Sequence, residues 1–330
     1  MPQAVLAALY LPGAPCPNLA SSRARWARVL DVARASAPDL ASLTSRFRAC
    51  GLWDEAALLA PCFDWGLENV LIGAVLTAAS PDYPIAWRGR LGAAAPPALW
   101  RSESVLPSAP SLTVVGSRQP VAAAEVFLSR LGLACAAASV SVVSGGARGV
   151  DSLSAAAGSS AGGSVIEILP CGLTAGPRSG FGLASGSVRL SGSAPGAGFS
   201  VSAAKERNAL LYAFGGPTIV VQPRLGTGGS WTGAVDALRR RLGVIVVWAP
   251  TEGLDADTVA ANYALARLGA HSFDYDPADG EQGVAERLKT VMQLRPLPSQ
   301  PPLFGHGAVR EAVSPNELDH SLAATLRPPR

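Results

Sequence analysis

Short runs of apolar and β-branched residues recur through the middle of the chain, separated by longer segments rich in Ala and Leu. Runs of this length bounded by Gly, Ser or Pro are typical of strands that are buried on both faces. They predict strands at 112–115, 140–143, 164–169, 218–222 and 243–248, with a further short strand at 187–190. The other segments predict helices at 121–138, 203–214, 231–241, 255–268 and 281–294. This alternation predicts a three-layer α/β fold around a mostly parallel sheet.

The pattern differs on either side of this central part. Three short helical patterns at 23–35, 38–49 and 53–59 predict a small helical module at 1–65. An apolar run at 70–77 and two proline-rich stretches then predict an extended lead-in segment at 66–110 that lies over the following domain. The Pro-rich end at 295–330 predicts a weakly ordered tail with a short helix near 316–326.

Two of the predicted strands run into turns of small residues, and each turn carries one arginine. The first turn is Gly116-Ser117-Arg118, and the second is Ser144-Gly145-Gly146-Ala147-Arg148-Gly149-Val150-Asp151. The helix predicted between the two strands makes a βαβ unit with parallel strands. Ligands of open parallel sheets bind beyond the carboxyl ends of the strands. The sequence therefore predicts a binding site that includes both arginine turns.

The residue types in these turns suit an anionic ligand. Glycines let a ligand approach the backbone, the N–H groups at a helix start attract phosphate, and arginine adds a fork of donors. The alternative is that Gly and Ser only form the turns. A dinucleotide site is not indicated, because 145–150 lacks the G-x-G-x-x-G spacing and no acidic residue ends a second strand about twenty residues further on.

Composition adds a charge asymmetry to this picture. The hydrophobic fraction of 48% and charged fraction of 15% predict a folded core in a chain of 330 residues. The net charge is only +3, but residues 101–250 carry +6, residues 1–100 carry +1 and residues 251–330 carry −4. The positive excess therefore coincides with the arginine turns, as a polyanion site requires.

The remaining composition argues against several classes of protein. Five cysteines without a C-x-x-C pair indicate a reduced, cytosolic protein with no structural zinc site. Only three histidines occur, at 271, 306 and 320, which leaves little for a catalytic triad or a metal centre. No apolar run reaches the ~20 residues that span a bilayer. We therefore expect no catalytic residues, no metal, no cofactor and no membrane partner.

Five sequence features, in the same order and spacing, resemble the DNA-processing protein A (DprA/Smf) family over roughly 65–270. They are the lead-in from Asp82-Tyr83-Pro84 to Pro96-Pro97-Ala98-Leu99-Trp100, the two arginine turns, Phe199 with Arg207-Asn208 before Val220-Val221, and Gly229-Ser230-Trp231-Thr232-Gly233-Ala234. The last of these is similar to the family's Ser-Gly-Ser-x-x-Thr-Ala turn.

The resemblance implies a fold and a function. The fold is an extended Rossmann-like three-layer α/β domain with a mostly parallel sheet at 111–294, preceded by the small helical module, which is then SAM/HhH-like. The function is that of a cytoplasmic, non-enzymatic protein that binds single-stranded DNA, protects incoming DNA and helps load the RecA recombinase during natural transformation and recombination. The resemblance also implies a homodimer, for which 244–250 and 257–268 are the candidate surface.

By motif, the resemblance predicts a set of DNA-binding residues. These are Gly116, Ser117, Arg118, Ser144, Gly145, Gly146, Arg148, Gly149, Lys205, Arg207, Asn208, Gly229 and Ser230. Single-strand binding also commonly uses aromatic platforms for the bases. The candidates near the basic region are Phe181, Phe199, Tyr212 and Phe214, for which a place in the core is the alternative.

The chain also departs from the family pattern. The second turn is normally followed by Asp-x-x-Ala-His, whereas Asp151-Ser152-Leu153-Ser154-Ala155 has no histidine. Ser191-Gly192 stands where the family has Ser-Glu, and Phe199 lies eight residues before Arg207, whereas the family has its phenylalanine close to the arginine. The tail is too short for the winged-helix domain with which members of the family often end. These departures indicate a divergent member.

An enzyme on the same architecture is the competing hypothesis. Nucleotide or nucleoside-monophosphate hydrolases of the lysine-decarboxylase-like type carry a Pro-Gly-Gly-x-Gly-Thr-x-x-Glu motif that supplies a carboxylate. Here 226–230 provides the glycines without the acid. Asp151 and Glu167 are the acids near the strand ends, and an aspartate at a helix start more commonly caps the helix than acts as a base.

Overall fold

The structure is a computed structural model that describes residues 1–15, 25–35, 37, 39–103, 105–175, 186–251 and 256–295, all within one compact unit. Its helices are α1 (Pro2–Tyr10), α2 (Trp26–Arg34), α3 (Leu40–Ala49), α4 (Trp53–Leu71), α5 (Ile85–Leu91), α6 (Ala122–Ala137), α7 (Val150–Ser160), α8 (Val201–Tyr212), α9 (Gly228–Arg240), α10 (Ala256–Arg267) and α11 (Gly280–Val291). Its strands are β1 (Val75–Thr77), β2 (Ala98–Arg101), β3 (Ser111–Gly116), β4 (Ser141–Ser144), β5 (Val165–Leu169), β6 (Val188–Ser191), β7 (Thr218–Val221), β8 (Ile245–Pro250) and β9 (His271–Tyr275).

All nine strands form one sheet in the order β1-β2-β6-β5-β4-β3-β7-β8-β9. The seven strands from β6 to β9 are parallel, and β1 and β2 continue the β6 edge in antiparallel pairing. From β3 the chain proceeds outward through β4, β5 and β6, then returns to place β7 on the other side of β3. Strand order therefore reverses beside β3, where ligands of such sheets bind. The predicted Rossmann-like α/β fold is confirmed.

Apolar side chains cover both faces of the sheet. Leu112 and Val114 of β3 pack in one cluster with Phe127 of α6, whereas Val115 packs in the other cluster with Tyr212 of α8. Successive residues of a strand point to opposite faces, so a strand that is apolar throughout needs helices on both sides. The burial of both faces of the sheet explains why its strands appear in the sequence as apolar runs. A sheet with helices on both faces also has the three layers that were predicted.

The N-terminal residues form helices α1 to α4, which differ from the predicted helices in two respects. The first is α1, which sequence analysis did not predict and which buries Val5 and Leu6 completely. The second is α4, which continues through Pro61 to Leu71, well beyond the predicted end at residue 59. A proline inside a helix is normally unfavourable, so the prediction stopped before it.

The lead-in segment does not lie over the sheet as predicted, because part of it belongs to the sheet. Its residues form β1 and β2, with Leu76 opposite Leu99 and Trp100 opposite Ser191 of β6. The Trp100 indole N–H donates a hydrogen bond to the Pro12 carbonyl at 2.8 Å. Buried apolar side chains on both β1 and β2 favour sheet pairing over an extended linker.

Further expectations also need correction or lie outside the described residues. Residues 244–248, proposed as part of a dimer surface, are buried within the sheet, with β8 between β7 and β9, so they offer no surface. Cys62 is disulfide-bonded, so the expectation of a fully reduced protein is wrong at this residue. The predicted tail from 296 onward, its helix and Phe181 lie outside the described residues. In the described part of the chain, no helix is long and apolar enough to cross a membrane.

Candidate functional site

The first arginine turn lies between two other strand ends and is hydrogen-bonded toward both. The Ser117 N–H donates to the Val221 carbonyl at the end of β7, at 3.0 Å. The Ser117 carbonyl accepts from the Val150 N–H at the start of α7, also at 3.0 Å. The turn is therefore fixed in place beside the point where strand order reverses, and Arg118 projects from a defined backbone.

Side chains that follow β7 connect its turn to the first one. The Ser230 hydroxyl of α9 donates to the Gly116 carbonyl at 2.6 Å. The side-chain oxygen of Gln222 accepts a hydrogen bond from the Val121 N–H at 2.9 Å. Gly229 and Ser230, predicted from their motif, thus lie at the same edge of the sheet as the first arginine turn.

Close approach of the first two turns requires glycine at two positions. Gly149 has φ of +85°, and a Cβ there would lie 2.3 Å from the Ser117 carbonyl oxygen. A Cβ on Gly116 would lie 2.1 Å from the Val221 carbonyl oxygen. Both distances are far below ordinary contact distances, and a positive φ disfavours any side chain. These glycines therefore serve the packing of the turns against each other.

Several of the predicted binding residues are accessible at this edge. Arg118 and Arg148 are exposed, and neither forms a salt bridge with a described acid. Lys205 in the first half of α8 is also exposed. Asn208 is half-buried, and its side-chain nitrogen lies 3.5 Å from where a Cβ on Gly229 would be. The structure therefore brings α8 and the start of α9 beside the first arginine turn, with exposed basic side chains on the turns and on α8.

Arg207 is placed differently, because it points into the protein and pairs with Asp151. Their side chains are 10% and 7% exposed, and the Arg207 guanidinium lies 3.5 Å from the Asp151 carboxylate. Burial raises the pKa of Asp151, opposed by the charge of Arg207 and by N–H groups of the turns. Burial also lowers the pKa of Arg207, and the nearby charge of Arg118 acts in the same direction. Asp151 is thus half of a buried ion pair and not the cap of α7, whose N-cap residue is Gly149.

Ser144, another predicted ligand residue, is also internal. It is fully buried, and its hydroxyl donates to the backbone carbonyl of Asp151 at 2.8 Å. The same hydroxyl accepts a 3.4 Å hydrogen bond from the Gly146 N–H. Direct contact of Ser144 or Arg207 with a ligand stays a prediction, but both side chains already have partners inside the protein.

The second acid near the strand ends is paired as well. Glu167 of β5 is 3% exposed, and the Arg189 Nε on the neighbouring strand β6 lies 2.8 Å from its carboxylate. A general base must be within hydrogen-bond reach of the proton that it removes from a substrate. Buried, arginine-paired carboxylates such as Asp151 and Glu167 do not suit that role. Among the residues that the structure describes, no group of acids, histidines and cysteines could hold a metal ion.

The candidate aromatic platforms separate into core and surface residues. Tyr212 and Phe214 are 2% and 9% exposed and belong to the core. Phe199 is 60% exposed and directly precedes Ser200, the residue that caps α8 by accepting a hydrogen bond from the Ala203 N–H. Of these three, Phe199 alone has the accessibility that stacking on a base requires.

A third arginine turn contains Arg224, which was not among the predicted binding residues. This residue follows β7 by three positions and is exposed, as are Leu225 and Gly226 beside it. The signal was present in the sequence, because a buried strand again runs into a turn with one arginine and a glycine. Since β7 lies next to β3, the arginine turns follow three neighbouring strands, β4, β3 and β7.

Comparisons with known proteins agree with this architecture. Residues 74–276, more than half of the chain, match the family model of DNA recombination-mediator protein A. The structure of DNA processing protein A from Streptococcus pneumoniae is similar, with a TM-score of 0.59 and 16% identity over 89% of this chain and 94% of that one. DNA processing protein A from Helicobacter pylori, for which a single-stranded DNA binding mode is described, has a TM-score of 0.51 and 19% identity, covering 66% of this chain and 96% of that one. A comparison with curated protein sequences found no match.

Proposed function

Because the chain belongs to the DNA recombination-mediator protein A family, we propose that it binds single-stranded DNA along the surface formed by its three arginine turns. The observation that carries this proposal is the exposure of Arg118, Arg148 and Arg224 beyond three adjacent strands. Arginine forks recognise phosphate oxygens well, and a row of them can follow a flexible backbone. The single-stranded DNA binding described for the Helicobacter pylori protein supports the same ligand.

The neighbouring residues have supporting roles in this proposal. Lys205 adds a further positive charge, and Asn208 with Gly229 and Ser230 offers polar groups at the start of α9. Gly146 is the partly exposed glycine of the second turn, so a phosphate can approach the backbone there. The strand would run from the Arg148 turn across the Arg118 turn to the Arg224 turn.

The biological role that we propose follows from family membership. The protein acts in the cytoplasm, protects incoming single strands and helps load the RecA recombinase during natural transformation, and it does so as a homodimer. Because β8 is buried, residues 244–248 are not available as a dimer surface. The remaining candidate is the exposed part of α10, which includes Tyr263, together with Leu268 just beyond the helix. The loading step can be tested by mixing the protein with RecA and with single strands that are coated with a single-strand-binding protein, and then measuring strand exchange.

We expect single-stranded oligonucleotides to bind more tightly than duplexes of the same sequence. A flexible strand can follow turns on adjacent strands of the sheet, whereas a duplex cannot bend into them. The logarithm of the affinity should fall linearly with the logarithm of salt concentration, by about 0.7 for each phosphate that is neutralised. With three arginine turns engaged, the slope should be about −2 or steeper. Titrations by fluorescence anisotropy at several salt concentrations measure both quantities, and equal affinity for duplex or a flat salt dependence contradicts the proposal.

Removing the exposed aromatic ring should weaken binding without unfolding the protein. Stacking of one base on an aromatic side chain contributes about 1 to 3 kcal/mol, so Phe199→Ala should lower the affinity for a single strand roughly 5-fold to 150-fold. Phe199→Trp should keep it. Val201→Ala is the matched control, because Val201 is 65% exposed and lies two residues away. If both alanine variants bind equally well, Phe199 is not a platform for a base.

A further inference from the structure

We propose that Asp151 and Arg207 are positioning residues, which hold the first two arginine turns in their binding geometry and make no contact with DNA. This inference rests on the proposed function and assigns different roles to two kinds of arginine. Arg118 and Arg148 meet the phosphates from the surface, whereas Arg207 acts from beneath them as half of a buried ion pair.

The Asp151 carboxylate connects the two turns directly. An ideal Cβ on Gly145 would lie only 2.6 Å from this carboxylate, and the N–H groups of Gly116 in the first turn and of Gly145 and Ala147 in the second lower the pKa of Asp151, so both turns face it. These donors precede Arg118 and Arg148 by one to three residues. One buried carboxylate therefore sets the backbone position of both arginines relative to each other.

Arg207 extends this connection to a third element, α8. Its guanidinium occupies the space beside Gly145, where a Cβ would lie only 1.5 Å from one of its terminal nitrogens. The absence of a side chain at Gly145 is thus a condition for the pair. A buried ion without its partner is strongly unfavourable, so Asp151 and Arg207 hold each other in place.

The geometry leaves Arg207 poorly placed as a phosphate ligand. Its side chain is 10% exposed, and its Nε is buried without a hydrogen-bond partner in the described part of the protein. The charge of the pair also sums to zero, so the positive potential of the surface comes from the exposed residues.

Asp151→Asn gives a test in which the two interpretations predict changes of opposite sign. The variant keeps the shape of the side chain, removes one negative charge and releases Arg207. If Arg207 binds phosphate, affinity for an oligothymidylate should rise and its salt dependence should become steeper. If the pair positions the turns, affinity should fall by about tenfold or more, with the salt slope shallower by about 0.7 for each lost phosphate contact. Unchanged or tighter binding overturns the proposal.

Arg207→Gln and the double variant complete a thermodynamic cycle. Positioning by the pair predicts that each single change lowers affinity by a similar factor, and that the double variant is no weaker than the weaker single variant. Independent roles predict that the two factors multiply. All titrations are performed below the melting temperature of each variant, so that the fraction unfolded does not enter the measured affinity.

Hydrogen exchange on the unmodified protein keeps the proposal testable if these variants fail to fold. The amides of Gly145 and Ala147 should exchange at least tenfold more slowly than the amide of exposed Gly226, because they face the buried Asp151 carboxylate. Exchange at equal rates overturns the proposal. A protein that shows slow exchange but binds no single strand would contradict the proposed function alone, whereas a protein that binds normally with Asp151→Asn would contradict only the positioning role.

Discussion

Replacing both Arg118 and Arg148 with alanine should lower the affinity for a single-stranded oligonucleotide by at least a hundredfold and leave folding almost unchanged. Hydrogen bonds to charged groups contribute on the order of 1.5 to 3 kcal/mol each, and about 1.4 kcal/mol corresponds to a tenfold change in affinity. Both side chains are exposed and unpaired among the described acids, so their loss should alter the free energy of unfolding by less than about 0.5 kcal/mol each. Oligonucleotide titration and thermal melting of the same variant measure the two effects.

Arg239→Ala with Lys289→Ala is the matched control for charge. Both side chains are exposed and lie in the last turns of α9 and α11, at the opposite edge of the sheet from the arginine turns. This double variant removes the same net charge, so it should lose only the small part of the affinity that comes from long-range attraction. A lower melting temperature with unchanged affinity in the Arg118 and Arg148 variant would remove both residues from the site.

Gly149→Ala should be strongly destabilising, by roughly 2 to 5 kcal/mol. About 1 to 2 kcal/mol comes from placing a side chain at a left-handed backbone position, and about 1 to 3 kcal/mol comes from the overpacking of its Cβ against the Ser117 carbonyl. That sum is a large fraction of the stability of an ordinary domain. Unfolding by urea, followed by circular dichroism, gives the change in free energy.

Gly280→Ala separates the two contributions to this change. Gly280 has φ of +64° and ψ of −138°, close to the +85° and −129° of Gly149, but a Cβ there meets nothing within 4 Å. The control should therefore lose only the backbone contribution, whereas Gly149→Ala should lose both and should also bind DNA more weakly because its turn shifts. Equal destabilisation by the two substitutions would mean that the turns can separate without a large energetic cost.

The central strands could be predicted from sequence because each consists mainly of apolar and β-branched residues and reaches a glycine, serine or proline at its end or within two residues of it. Arg118 and Arg148 could be located for the same reason, since each follows such a strand within one short turn. Arg224 carries the same signal. It was not predicted as a binding residue, because the motif that resembles the family begins a few residues later in the chain.

Other features depend on contacts that a sequence does not display. Strand β9 reads His271-Ser272-Phe273-Asp274-Tyr275, and its mixed polarity reflects an edge position that becomes visible only once β8 lies beside it. The burial of Arg207 depends on the empty space at Gly145, more than 60 residues earlier in the chain. Without that contact, an arginine in the middle of a helix is indistinguishable from a surface ligand.

The strand β2 is synthesised well before β6, the strand with which it pairs in the sheet. Trp100 emerges from the ribosome about 90 residues before Ser191, its partner across the sheet. Until Ser191 has been synthesised, β1 and β2 can pair only with each other. The free edge of β2 can then pair with other chains. Contacts between distant residues also slow folding. The nascent N-terminal region must therefore remain soluble through the synthesis of four further strands, β3 to β6, before its edge is covered.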